Sequence, residues 1–304
     1  MEYVLETKAL CKTYKHYKAL DNLTMHVPKG AIYGFVGKNG AGKTTLIRLI
    51  TGLQFPTVGS YQIYGVDNTS PQIRKSRRRM GAVVETPSIY LDMTARDNMQ
   101  QQYRISGQPG YDGIPELLAL VGLGDTGKKK VKDFSLGMRQ RLGIAIALTG
   151  NPDFLVLDEP INGLDPQGII EVRELILKLN REHGITVLIS SHILDELSKL
   201  ATHYGFIDKG HMVKEISAKE LEEKCAKKLR VTVSDMTGFS KAMEALQLHY
   251  QVVSDCQADI FDEITIYDLS ETAKEYGCKV LKASEQDESL ESFYLNLVGG
   301  ADRD

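Results

Sequence analysis

Between Ala31 and Ile50 the chain reads AIYGFVGKNGAGKTTLIRLI. An unbroken apolar run ends in glycine, a glycine-rich turn follows, and apolar residues at helical spacing begin after Lys43. A continuous apolar run of this length suits a strand buried on both faces of a parallel sheet. The stretch GKNGAGKT, Gly37 to Thr44, fits G-x-x-x-x-G-K-[ST] and stands between the predicted strand and the predicted helix, where that pattern has a mechanical meaning. Gly37, Gly40 and Gly42 let the backbone N–H groups of the turn, through Lys38, Asn39 and Ala41, point inward at anionic oxygens. The start of the helix adds the positive end of its dipole. Lys43 is placed to reach the β- and γ-phosphates of a nucleotide, Thr44 to offer a hydroxyl to Mg²⁺, and Thr45 to complete the phosphate contacts.

A second apolar run, DFLVLDEP, ends in two carboxylates, Asp158 and Glu159. At a strand end Asp158 can hold Mg²⁺ through water, and Glu159 can orient or deprotonate an attacking water. Solvated acids at a strand end are the plain alternative, and the glycine cradle upstream argues against it. The amphipathic pattern GIIEVRELILKLNREHG and the run ITVLISSH follow. This alternation predicts a parallel α/β sheet with helices on both faces. YVLETKAL and ALDNLTMHVPKG read as strands, the second closed by Pro28 and Gly30, and SYQIYGVD alternates like an edge strand. Residues from about 86 to 150 lack strong strand signals, and IPELLALVGL and LGMRQRLGIAIALTG read as helices.

Further segments resemble one family, the ATP-binding-cassette (ABC) ATPases. KDFSLGMRQRLGIAIAL is similar to their signature segment, NGLDP after LDEP to their D-loop, and SSH ending at His192 to their switch-histidine segment. KTYKHYKALDNL is similar to the N-terminal segment whose aromatic stacks on adenine. The ordered set spans residues 1 to about 215. The resemblance implies a P-loop NTPase fold: a RecA-like core with an N-terminal antiparallel β subdomain and a helical subdomain at about 86–150. It implies ATP and Mg²⁺ as ligands, with Tyr14 on the adenine, Glu159 as base and His192 on the γ-phosphate and water. Ser135 and Gly137 would cap the ATP of a partner subunit, and Asp165 would link the two sites. Alone, Tyr14 would read as a surface aromatic, His192 as structural, and Ser135 as a helix N-cap.

Three positions depart from the usual family pattern. The signature reads Phe-Ser-Leu-Gly-Met where Leu-Ser-Gly-Gly-Gln is usual, Asn162 replaces a common serine, and Glu85 stands where glutamine is expected. Glu85 ends the apolar run of MGAVVETPSIY, and Thr86-Pro87 after it cannot continue a helix. Read by itself it could be a base, a metal ligand, a partner contact or an exposed strand end. Its position, with FSLGMRQRLG and the tail SLESFYLNLVGG, resembles the bacitracin-resistance and lantibiotic-exporter branch, where the ATPase works with a separate membrane permease. The expectation is that Glu85 couples the nucleotide site to that permease, with Mg²⁺ contact through water as a further candidate role. One cradle and one signature per chain imply a head-to-tail dimer, homodimer or heterodimer, around two ATP.

The character changes near residue 215. SAKELEEKCAKK reads as a charged linker helix. Beyond it LRVTV, YQVVSD, EITIYDL and KVLKASE read as strands, and TGFSKAMEALQL, SETAKEYG and SLESFYLNLVG as helices. The order βαββαβα predicts a small accessory α+β domain over 216–304, after an ATPase domain over 1–215.

Composition bounds the partners. The net charge of −3 argues against a chain that chiefly neutralises nucleic-acid phosphates, so no nucleic acid is expected. Cys11, Cys225, Cys256 and Cys278 are scattered, which reads as reduced thiols without a zinc site. No apolar run approaches the ~18 residues of a membrane span and no signal peptide leads the chain. The expected location is therefore cytoplasmic, peripheral on the inner face of the membrane, against a multi-span permease. The basic runs RKSRRR and KKK read as solvated surface before lipid contacts. Two other classes compete: a soluble ABC-type ATPase acting on nucleic acid or the ribosome, and a metabolic P-loop kinase. The first commonly carries two cassettes or an inserted coiled coil; the second has no use for SLGMRQ.

Overall fold

The computed structural model describes residues 2–224, 228–286 and 290–299. Cys225 and the end of its predicted linker helix lie outside these. The chain divides into two compact units, Met1–Ala218 and Lys219–Gly299.

The first unit opens with a long antiparallel pair, β1 (Tyr3–Tyr14) and β2 (Tyr17–Pro28), whose turn sets Tyr14 opposite Tyr17. β3 (Ile32–Val36) follows, buried at every residue, and the glycine turn leads into α1 (Lys43–Ile50). The chain then returns to the first sheet as β4 (Val58–Ile63) and β5 (Val66–Asp67), giving the order β2-β1-β4-β5. A short helix, α2 (Ile73–Arg77), brings it back to the main sheet at β6 (Met80–Val83). Most of the basic run is exposed: Arg74, Lys75, Arg78 and Arg79 lie on the surface, and two of its residues make contacts within the fold. Arg77 donates to Ile50 O (3.1 Å) and to the Tyr61 hydroxyl; Arg79 pairs with Asp153 and lies 3.6 Å over the Tyr64 ring.

Three helices fill the stretch after β6: α3 (Ala95–Ile105), α4 (Ile114–Leu120) and α5 (Leu136–Ala147). Thr94 starts α3 through a reciprocal capping box with Asp97. Ser135 starts α5, its hydroxyl accepting from Met138 N at 3.2 Å. Glycines let α5 approach its neighbours closely. A Cβ on Gly81 would meet Ala147 O at 2.2 Å, and one on Gly143 would meet Pro87 Cβ at 2.6 Å.

The main sheet is completed by β7 (Phe154–Asp158), α6 (Pro166–His183), β8 (Thr186–Ser191), α7 (Leu194–Ser198), β9 (His203–Asp208) and β10 (His211–Ser217). Its order is β10-β9-β3-β8-β7-β6, parallel except for β10. α6 shows why such helices form. Asp165 caps it, Pro166 occupies the first turn, and Val172, Leu175, Ile176 and Leu179 bury one stripe. Each such burial contributes about 1.5–3 kcal/mol. Gly184 ends the helix in the left-handed region.

The second unit begins within a short helix, α8 (Ala218–Lys224). It comprises β11 (Lys228–Val233), α9 (Met236–Ala245), β12 (Tyr250–Ser254), β13 (Gln257–Ile260), α10 (Ile266–Glu275), β14 (Val280–Gln286) and α11 (Leu290–Gly299). The antiparallel order β12-β13-β11-β14 is a split βαβ arrangement. Leu229, Val231, Phe239, Met243, Leu269 and Ala273 build its core. One expectation is corrected. EITIYDL is not a strand: Thr265 caps a helix there, accepting from Asp268 N at 3.1 Å, and Leu269 and Ala273 face the core. The strand is the shorter QADI segment, paired with both β11 and β12.

Candidate nucleotide site

Sheet order brings the sequence-predicted residues together. β8 lies beside β3, and β7 beside β8, so the carboxyl ends of three strands are neighbours. Val36 pairs with Ser191 and Asp158 with Ser190. The glycine turn leaves β3, Ser191-His192 leaves β8, and Asp158-Glu159 leaves β7. Open α/β sheets hold ligands at this edge.

The turn has the backbone that its glycines permit. Gly40 and Gly42 have φ of +83° and +113°. A Cβ on Gly37 would meet Ile207 O at 2.6 Å, and one on Gly42 would meet Ala19 O at 2.6 Å. Lys43, only 5% exposed, folds back over the turn and donates to Gly37 O (2.6 Å) and Lys38 O (3.3 Å). A cavity of about 260 Å³ opens here, lined by Tyr14, Asn39, Gly40, Thr44, Thr45 and Glu159 among others. A larger hollow beside Pro152, Asp153 and Ile185 opens at the amino ends of β7 and β8, away from this cradle.

Glu159 is the hub of the charged network. One carboxylate oxygen lies 3.1 Å from Lys43 Nζ and the other 2.7 Å from His192 Nδ1. Its backbone is left-handed (φ +49°), and its N–H donates to Ser190 O (3.2 Å) and Ser190 Oγ (3.0 Å). Asp158 is buried and accepts from Ser190 Oγ at 2.6 Å. Ser190, on the neighbouring strand, thus holds the Asp158 carboxylate and the Glu159 backbone. Sequence reasoning passed over it, although it lies two residues before His192 at the end of an apolar run.

Tyr14 lines the cavity. Tyr17 was not singled out from the sequence, yet it lines the same cavity and its hydroxyl donates to Gly40 O at 3.0 Å. Its signal was its place three residues beyond Tyr14 in the same segment, KTYKHYKALDNL. Asn162 also lines the cavity.

Ser135 and Gly137 are not among the residues lining this cavity. They begin α5, where Gly137 lies close to Gly168 of α6. Asp165 serves in the structure as the cap of α6, accepting from Gly168 N at 3.1 Å. Glu85 follows β6, the edge strand, three strands from β3 on the same edge of the sheet. That is about 14 Å at ordinary strand spacing. Its backbone is left-handed (φ +60°) and its carboxylate pairs with Arg48 of α1, one helical turn beyond Thr44.

A glycine cradle, a buried lysine and a strand-end carboxylate facing a histidine define a P-loop nucleoside triphosphatase. The profile described as ABC transporter matches residues 20–162. The bacitracin transport ATP-binding protein BcrA of Bacillus licheniformis is 41% identical over 99% of this chain and 99% of its own. Its namesake in Enterococcus faecalis is 38% identical over 99% and 98%. The lantibiotic transport ATP-binding protein SrtF of Streptococcus pyogenes is 44% identical over 70% of this chain and 90% of its own. Among solved structures, a dimeric ATP-binding cassette in a post-hydrolysis state, bound to ADP and Pi, superposes with a TM-score of 0.64 at 25% identity, covering 70% of this chain and 98% of that one. A cassette of an ABC transporter in its ADP conformation gives 0.67 at 26%, covering 74% and 94%. The chain belongs to the ABC transporter family, as an ATP-binding subunit and an ATPase.

Proposed function

We propose that this chain is the ATP-driven motor of an exporter of peptide antibiotics or related compounds, working as a dimer on a separately encoded membrane permease. The names of the full-length relatives support the substrate class. The observation that carries the dimer is the position of Ser135 and Gly137 outside the cavity of their own cradle. A signature that caps ATP must then cap the ATP of a partner.

The residues suit MgATP. The cavity runs from an aromatic ring to a glycine turn and two threonines. Among the described residues no group of three or more His, Cys, Asp or Glu side chains forms a metal cage. This suits an ion shared with phosphate oxygens, held by the Thr44 hydroxyl and, through water, by Asp158. When bound, Mg²⁺ supplies charge neutralisation at the β- and γ-phosphates.

Lys43 and His192 both rest on Glu159 in this structure. A γ-phosphate entering the cradle competes for both cations. Lys43 then turns to phosphate oxygens, His192 fixes the γ-phosphate, and the Glu159 carboxylate is released to take a proton from the attacking water. Water oxygen bonds to the γ-phosphorus, the bond to ADP breaks, and the proton rests on Glu159. Asp165, at the start of α6 beside the signature helix, links this event to the partner site.

A groove of about 1070 Å³ runs along edge strand β6, lined by Leu53, Met80, Val84, Pro87, Ile105 and Ile146 among others. Ile105 is 73% exposed within it. The groove adjoins Glu85 and lies against α5, which supports the reading of it as the docking surface for the permease. Among the described residues no helix is long and apolar enough to cross a membrane; in this reading membrane association runs through the permease. Co-purification of a multi-span protein and ATP-dependent efflux in vesicles test the reading. ATPase activity stimulated by RNA or DNA, with no membrane partner recovered, would overturn it.

A further inference from the structure

The loop between α1 and β4 is bound to the hairpin that carries Tyr14. The Tyr14 hydroxyl donates to Gln54 Oε1, and Gln54 N in turn donates to Arg48 O at 3.0 Å. The loop is fastened to β1 at three more points. Lys12 Nζ donates to Phe55 O (2.8 Å), Thr13 N to Thr57 Oγ1 (3.0 Å), and Thr57 N to Cys11 O (2.9 Å). Lys12 Nζ also lies 5.1 Å from the centroid of the Tyr14 ring, while Tyr14, and not Lys12, is among the residues lining the cradle cavity. One face of the ring is thus taken by an ammonium, its hydroxyl is held by an amide, and the residue so fixed lines the cavity.

We propose that Gln54 is a positioning residue for the base of ATP: it fixes the Tyr14 phenol so that one ring face is presented to adenine. The proposal rests on the reading that Tyr14 stacks on adenine. A tyrosine free to turn about its side-chain bonds loses conformational freedom when a base stacks on it. A ring already held by its hydroxyl loses less. The anchor also has an origin in the cradle, because Gln54 is bonded to the end of the helix that Lys43 begins. Platform and phosphate turn are therefore held at a set spacing. This role was hidden in the sequence, where Gln54 stands in a loop with no motif.

The test separates the base from the phosphates. Binding of ATP and of inorganic tripolyphosphate is measured by calorimetry on the full chain, for the parent, Tyr14→Ala, Tyr14→Phe, Gln54→Ala and the double variant Tyr14→Phe/Gln54→Ala. Tyr14→Ala is expected to weaken ATP by about tenfold or more, the worth of one stacked base. Gln54→Ala and Tyr14→Phe are each expected to weaken ATP about threefold to tenfold, the worth of one hydrogen bond. The double variant should lose no more than either single change, since both break the same bond. Tripolyphosphate should bind all five proteins alike. ATP binding by Gln54→Ala at the parental level, or an equal loss for tripolyphosphate, would overturn the positioning role alone. Parental ATP binding by Tyr14→Ala would remove the stacking reading and the proposal together.

Discussion

The carboxylate of Glu85 pairs with the guanidinium of Arg48, one turn along α1 from Thr44. Two residues later Pro87 presses against Gly143 of α5, the helix that Ser135 begins. A single short segment therefore touches both the helix of the cradle and the helix of the signature, and it borders the groove along β6. The side chains of the pair are 56% and 36% exposed. An ion pair so placed contributes about 0–1 kcal/mol to stability. In the proposed function this pair serves mechanical coupling between the nucleotide site and the permease. Glu85→Ala is expected to leave the melting temperature within about 3 °C of the parent and basal ATP hydrolysis in place, while transport is lost. Efflux and ATPase assays on the same vesicles check this. Transport at the parental rate would return Glu85 to an ordinary solvated strand end.

Glu159 is held by Lys43 and His192 and follows a buried partner, Asp158. Replacing it by glutamine keeps its shape and removes its basicity. Glu159→Gln is expected to slow hydrolysis by at least about a hundredfold and to retain ATP binding, so that dimers accumulate with nucleotide trapped between them. Single-turnover hydrolysis and size-exclusion chromatography in ATP give the two readouts. Near-parental turnover would show that another group takes the proton.

Much of this site was legible because its chemistry sits at strand ends. The runs before Gly37, Asp158 and His192 each announce a buried strand, and one sheet gathers their ends. What escaped notice depends on contacts across loops. Arg48, Gln54, Tyr17 and Ser190 are ordinary residues until the hairpin and the neighbouring strand reach them. In the second unit, alternation in EITIYDL suggested a strand, but the local bond from Asp268 N to Thr265 Oγ1 starts a helix. QADI was too short to stand out, yet it is the inner strand between β11 and β12. The polar helix α3 is marked by its Thr94–Asp97 box rather than by an apolar stripe.

Ile105 gives a test of the groove that leaves the catalytic centre alone. It ends α3 at 73% exposure and lines both the groove along β6 and the smaller hollow beside Tyr90 and Asn98. Exposed apolar side chains of this size at a concave site mark contact with a partner. Ile105→Glu should fold normally, since substitutions at exposed sites stay within about 0.5 kcal/mol, and should retain basal ATPase activity. Recovery of the permease on an affinity column should fall sharply. Full recovery would place the docking surface elsewhere.

Asp259 is the charged anchor of the second unit. It is 3% exposed, accepts from Arg230 at 2.6 and 2.8 Å, and lies 2.9 Å from Lys228 Nζ. The hydrogen bonds from Arg230, helped by Lys228, hold its carboxyl below the usual carboxylate range. The folded state thus binds this proton more weakly than the unfolded chain, where the carboxyl titrates near pH 3.9. The stabilisation is complete above that value and is lost as pH falls through the lowered folded value. At pH 7, Asp259→Asn should destabilise this unit by about 1–2 kcal/mol, because it weakens the hydrogen bonds from a partly exposed Arg230. Hydrogen exchange at Val231 and Ala258, which pair across β11 and β13, reads the change locally. Measured from pH 7 towards pH 3, the gap between parent and variant should shrink below about pH 4. A gap that stayed constant would mean that packing around Asp259, and not its charge, holds these strands together.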